Sequence, residues 1–363
     1  MTALLSRNRQ RIDKKIENDF PYLPPECSIQ LERVAREHIL SKIKSVLNDL
    51  RHFIPETIQT WEHDNERPLD FGNFIEATGL PPVDVLKSKS WSEWKALAAN
   101  KPPPDDPDIQ QGRKALSRLA LRTDPNLLDA LKNQVEEQPC TTYNDQTGTA
   151  LHYLMWGQNR PRIGVSSLDQ SLAKWRQNKT LSRDAAEIAK WKQRTICIPQ
   201  KEIQLPFPCS LKLHAAYGLA EIKAALGLAT LNRSGPTGSG VLHCHEKQTY
   251  VHLVTFRKEE RDFSPTTLYK DYPTSRNVLH WESQSTTTQN SPTGQNYIHF
   301  KDRGYTILFF ARLRKKIDGE TAPFYYLGPA EGLIDFKGNR PIAMTWKLTH
   351  PMPAQLYEEA RTA

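Results

Sequence analysis

The pair His243 and His245, flanking Cys244, is the first place in this 363-residue chain where residue types and spacing suggest chemistry. On one strand the two imidazoles share a face. A structural zinc site, however, needs about four ligands, and no third stands at a matching spacing, so the pair reads as structural. The glycine-rich run SGPTGSG (234–240) lacks the Lys-Ser/Thr that a phosphate-cradling loop requires. No Ser-His-Asp arrangement and no carboxylate cluster for a metal nuclease can be assigned, so neither a catalytic residue nor a metal ligand is expected. What remains is binding chemistry. Arg257, Lys258, Arg276, Lys301 and Arg303 are candidates for phosphate contact. The polar run Ser283–Gln295, with Thr286 and Thr287, is either a surface loop or a source of hydroxyls and amides for the same purpose. A denser cluster (Arg312, Arg314, Lys315, Lys316) falls at a strand end, where charge commonly protects a sheet edge.

The elements that must position these residues change character near residue 195. Before it the chain reads as helical. Ser28–Leu50 is amphipathic, with Ser28 as N-cap, and shorter helices are expected at Asp70–Thr78, Pro82–Ser88, Ser90–Ala98, Gln110–Leu121, Asn126–Glu137, Thr149–Trp156 and Ser182–Gln193. KPPPDDPD (101–108) reads as a proline-stiffened linker unable to pack. After an extended stretch and one helix, His214–Leu226, the pattern turns to strands: a hairpin from Gly240, then Asn277–Glu282, Gln295–Phe300, Tyr305–Arg314, Phe324–Leu327 and Ile342–Leu348. Turns are expected at Asp302–Gly304, Asp318–Gly319 and Lys337–Asn339. The expectation is an α+β chain: an all-α region over 1–190, then a curved β-sheet or small barrel over 195–363.

Charge follows the same division. Residues 1–190 carry 27 Lys+Arg against 26 Asp+Glu, whereas residues 191–363 carry 22 against 15, a net of +7. A polyanion is the natural partner of such a half, although a solvated basic surface accounts for it equally. No apolar run is long enough to span a membrane, and the opening MTALLSRNRQRIDKK does not read as a secretory signal. Five scattered cysteines without a CxxC pair read as reduced thiols, and hence as a cytoplasmic protein.

Between Phe256 and Pro353 a set of motifs comes in fixed order: SPTTLYKDY (264–272), HWESQSTTT (280–288), SPTGQNYIHF (291–300), ILFFARLRK (307–315), FYYLGPA (324–330) and PIAMTWKLTHPMP (341–353). Together they resemble a family of uncharacterised domains found at the C-terminus of large prokaryotic proteins that also carry a phospholipase-D-like nuclease and a superfamily 2 helicase, as in SauUSI-type type IV restriction enzymes. IENDFPYLPPECSIQLERVAREHIL (16–40) and SWSEWKALA (90–98) are similar to the helical connector of those enzymes. The nuclease signature is absent: His245 and Lys247 meet its first two positions, but the third is His252 where Asp is needed. No DExH box is present either. The chain is therefore expected to be a fragment, or a short gene product whose partner supplies motor and nuclease. ATP and Mg²⁺ belong to those missing parts, and no cofactor is expected here.

The resemblance implies a fold related to the SRA and PUA group, and binding of double-stranded DNA containing 5-methylcytosine or 5-hydroxymethylcytosine. Readers of that kind flip the base, at a cost of a few kcal/mol, into an aromatic pocket. Such a pocket has candidates here: Tyr269, Tyr272 and Trp281 as walls, Asp271 as acceptor for the amino group, and Ser283 and Gln284 as further partners. Trp281 and Tyr272 are equally suited to a core, and Asp271 to a turn. Two rival readings stand beside this one. The C-terminal domain could itself be a nuclease, or the chain could be an interaction scaffold for a helicase-nuclease.

Overall fold

The computed structural model describes residues 50–134, 145–237, 240–258 and 271–361. They fall into two compact units, with the boundary between Asp105 and Asp106. The expected helix over Ser28–Leu50 lies outside the described residues but for Leu50, and Tyr269 lies outside them altogether.

The described part of the first unit is helical: α1 (Leu50–Asn65), α2 (Phe71–Thr78), α3 (Pro82–Leu86) and α4 (Trp91–Ala98). Its helix starts obey local chemistry. The Asp70 carboxylate accepts from Asn73 N at 2.8 Å. Ser90 and Glu93 close a reciprocal capping box at 3.2 and 2.7 Å. Trp91, flanked by Phe71 and Phe74, and Trp94, whose indole N–H donates to the Val85 carbonyl, fill the core.

The second unit opens with helices α5 (Ile109–Leu119), α6 (Pro125–Lys132), α7 (Asp145–Trp156), α8 (Arg160–Ile163), α9 (Leu168–Gln177) and α10 (Lys179–Thr195). The boundary between the two compact units thus falls within the proline-rich stretch. One residue of that stretch packs after all: Asp106 is buried, and its carboxylate accepts from the backbone N–H groups of Thr180 and Leu181 at the start of α10. These helices are tied to the sheet-bearing part of the unit. Arg122 donates to both carboxylate oxygens of Glu221 at 2.9 and 2.8 Å, with both side chains buried, and the Tyr153 hydroxyl donates to the Thr230 carbonyl.

The rest is a mixed sheet with helices. Its elements are β1 (Ala216–Tyr217), α11 (Leu219–Ala225), β2 (Val241–Cys244), β3 (Thr249–Thr255), β4 (Tyr272–Ser275), β5 (Val278–Glu282), α12 (Pro292–Ile298), β6 (Thr306–Arg312), the small hairpin β7 (Lys316–Ile317) and β8 (Glu320–Thr321), β9 (Phe324–Lys337), β10 (Ala343–Leu348) and α13 (Ala354–Arg361). The strand order is β2-β3-β6-β9-β10-β5-β4, with β1 beside β9. β3 and β6 run parallel from Thr249↔Thr306 to Thr255↔Arg312, and the other pairs are antiparallel. β9 changes partner along its length, pairing with β6 up to Pro329 and with β10 from Ala330. Gly328, at φ +88°, sits at the handover, a conformation costly for any residue with a Cβ. Tyr250, Val254 and Phe309 from β3 and β6 share one core with Leu279, Trp281, Met344 and Trp346 from β5 and β10. The sheet thus curves around a single interior, and α11 covers its other face through Ile222 and Ala225.

Three expectations are corrected. The run expected as a strand over Gln295–Phe300 is helix α12, because Ser291 caps it by accepting from Gly294 N and Pro292 takes its first position. The helix expected from His214 begins only at Leu219, since His214 adopts φ +66° and Ala216 and Tyr217 pair with β9. β9 runs to 14 residues where four were expected, because Gly328, Pro329 and Gly332 break the sequence pattern without breaking the strand.

Candidate nucleic-acid interface

The structure separates the expected site residues into three groups. The first is internal. Trp281 is 4% exposed, its ring stacked on His252 at 3.9 Å and 13°. The ring packs into the core between the two halves of the curved sheet. Ser283 is fully buried, its hydroxyl accepting from Ile342 N at 2.9 Å. Asp271 is also internal: one oxygen accepts from Lys258 Nζ at 2.7 Å and the other from Glu282 N at 3.1 Å. Burial pushes its carboxyl up, and the Lys258 ammonium opposes that shift. Lys258 and Asp271 thus form a buried ion pair.

The second group is bound to the C-terminal segment. Arg257 donates to the Glu359 carbonyl at 2.9 Å, and Arg276 to the Met352 carbonyl at 2.8 Å. Tyr272 stands apart, 48% exposed and stacked on His280 at 4.7 Å.

The third group meets along one continuous edge. Gln284 Oε1 accepts from Thr287 Oγ1 at 3.2 Å and from the Tyr297 hydroxyl at 3.3 Å. Gln289, farther along the same loop, binds the β9–β10 turn: its amide N–H donates to Asn339 Oδ1 at 2.8 Å and its side chain to the Gly338 carbonyl at 2.7 Å. α12 then takes over, with Gln295 Nε2 donating to the Gln289 carbonyl at 2.9 Å. Gly294 makes this fit possible, since a Cβ there would lie 2.0 Å from the Thr288 carbonyl oxygen. Asn296, on the same helix, donates to the Tyr250 hydroxyl at 3.1 Å and accepts from Arg303 Nη1 at 2.9 Å. Thr286, Lys301, Arg303, Lys337 and Arg340 are all exposed along this run. It offers cations, hydroxyls and amides held on packed elements, which is the composition of a phosphate-tracking surface.

Behind the edge lies an aromatic interior. His252 is completely buried, with Trp281 stacked on it and Tyr297, Phe309 and Trp346 presenting their edges. Neither ring nitrogen has a hydrogen-bond partner among the described residues. Burial holds this imidazole down at about 3, so it stays neutral in the folded chain. The unfolded chain takes up that proton below about pH 6.5. Stability from this group is therefore complete above about pH 6.5 and is lost as the pH falls towards 3, by up to about 1.4 kcal/mol per pH unit. His252→Leu is expected to flatten the stability profile between about pH 6 and 4 in denaturant titrations at stepped pH. An unchanged slope would show that His252 titrates normally.

Sequence reasoning missed His252, Tyr250, Tyr297, Asn296, Lys337 and Arg340. Period-two alternation along TYVHLVT did place Tyr250, His252 and Val254 on one face, and that was the available signal. Among the described residues no group of three metal-ligating side chains occurs, and no helix is long and apolar enough to cross a membrane. Cys197, Cys209 and Cys244 are free thiols. No curated protein matches the chain. Residues 211–360 match the family model described as a domain of unknown function (DUF3427), and every residue of this edge lies within that match.

Proposed function

We propose that this chain binds double-stranded DNA through the edge formed by loop 283–291, the β9–β10 turn, α12 and residues 299–305, and that it recognises modified cytosine there. The observation that carries the reading is the continuity of that edge. Exposed Lys301, Arg303, Lys337 and Arg340 stand on segments that hydrogen bonds of Gln289, Gln295 and Asn296 tie together, in the half of the chain with the +7 excess. Gln284, held by Thr287 and Tyr297, is the hydrogen-bonding group of the expected pocket that stands on this edge, while Trp281 and Ser283 support it from the core. The SRA-like relationship and the coupling to a helicase-nuclease partner, which would bring ATP and Mg²⁺, belong to the same proposal. The helices anchored through Arg122 and Glu221 are the part suited to that coupling.

Titration of a duplex at several salt concentrations tests the proposal. Log affinity is expected to fall linearly with log salt, by about 0.9 per phosphate contacted. Arg303→Ala and Arg340→Ala should each weaken modified and unmodified duplex alike and make the slope shallower by about 0.9. Arg257→Ala and Arg276→Ala should leave the slope unchanged. A salt-independent affinity, or slopes altered by the second pair and not the first, would remove the edge from the interface. The duplex should also remain intact in Mg²⁺, since a reader does not cut; cleavage would favour the nuclease reading.

A further inference from the structure

At the outer edge of the sheet, rings from β2, the turn after it, β3 and the residue before β6 stack in order of increasing exposure. Tyr250 is buried, and its hydroxyl is fixed by Asn296. His243 lies over it at 4.0 Å and 15°, and His245 lies against His243 at 3.6 Å and 44°. Tyr305 flanks the pair, 5.3 Å from Tyr250 and 5.8 Å from His243. His245 is exposed, while His243 and Tyr305 are partly buried. Burial, reinforced by the neighbouring His245, holds the His243 imidazole down at about 4. The middle of the stack is therefore an uncharged ring at neutral pH. Its Nε2 is shut from solvent and has no hydrogen-bond partner among the described residues.

A stack that ends on an exposed ring is a surface that a further planar ring can extend. A cation is anchored to the buried end of the same stack: Arg303 is held by the Asn296 that fixes Tyr250, and Lys301 is exposed two residues before it. Aromatic rings beside a basic track are how proteins take unpaired bases, because every base offers a π face. We propose that His245 and Tyr305 form a stacking platform for an unpaired nucleobase of DNA, with Arg303 on the adjoining phosphate. The proposal rests on the DNA-binding reading above and adds the state of the base that this edge prefers.

The experiment compares two ligands on the full chain: a fully paired duplex, and the same duplex with one unpaired 2-aminopurine. The unpaired base is expected to raise affinity by about 5- to 150-fold, the range for one stacked base, and its fluorescence should fall on binding. His245→Ala should remove most of that gain while leaving affinity for the paired duplex unchanged, and Tyr305→Ala should lower the ratio of the two affinities as well. His245→Phe and Tyr305→Phe should keep it, because a phenyl ring stacks as well. Equal wild-type affinity for the two ligands would overturn the platform and leave duplex binding standing. So would an unaltered preference in His245→Ala, or a phenylalanine variant as poor as alanine. Absence of binding to either ligand would remove the platform and the DNA-binding reading together.

Discussion

Trp281→Ala is expected to cost about 3–5 kcal/mol of unfolding free energy, the range for truncating a buried aromatic ring. The indole is 4% exposed and contacts His252 face to face at 3.9 Å and Tyr297 edge-on at 5.6 Å, so its removal opens a cavity between the two halves of the curved sheet. Packed interiors relax only partly around such a void. Affinity for modified and unmodified duplex should fall together near the new melting range, and their ratio should be preserved well below it. Tyr272→Ala, at a half-exposed ring, should melt close to the parent. Denaturant unfolding beside low-temperature titration checks both variants. A Trp281→Ala protein that unfolds at the parent midpoint and has lost discrimination would return the ring to the base pocket.

The second large effect is expected at Glu221. Its carboxylate neutralises the Arg122 guanidinium in a buried pair and also accepts from Gly218 N at 2.7 Å, closing the first turn of α11. Glu221→Ala strands a buried cation and should cost about 3–5 kcal/mol. Replacing both members, as in Arg122→Met with Glu221→Leu, should recover most of that loss, since removing a buried pair together is often near neutral. A single-variant cost below about 1 kcal/mol would mean that the pair behaves like a solvated surface bridge. The same bond bears on where the chain can be cut. A segment beginning at Thr195 lacks Arg122 and bares Glu221, whereas one beginning at Asp106 keeps the whole second unit.

Much of the local structure was legible because it is set by neighbours in sequence. Asp70, Ser90 with Glu93, and Asp124 before Pro125 mark helix starts through contacts two to three residues long. The Asp318-Gly319 turn, with φ +50° and +89°, needs only its own two residues. What escaped depends on distant partners. α12 was expected as a strand, and its Ser291 cap with Pro292 at the first position makes it a helix. The change of pattern and charge near residue 195 was legible, but the packing of α7 against α11 across it joins residues far apart in sequence. The edge itself was half visible. Thr286, Lys301 and Arg303 stood out by type, but Asn339 and Gln289, or Asn296 and Tyr250, meet only after segments 46 to 50 residues apart are brought together.

The central claim is most directly tested by titrating the full chain against three duplexes of one sequence, containing cytosine, 5-methylcytosine or 5-hydroxymethylcytosine at a single site. Selection for one small substituent is worth about 1–3 kcal/mol, so a modified duplex is expected to bind roughly tenfold to two-hundredfold more tightly than the unmodified one. Arg303→Ala and Arg340→Ala should lower all three affinities in parallel. Equal affinity for the three duplexes, or no measurable affinity for any of them at low salt, would contradict the account.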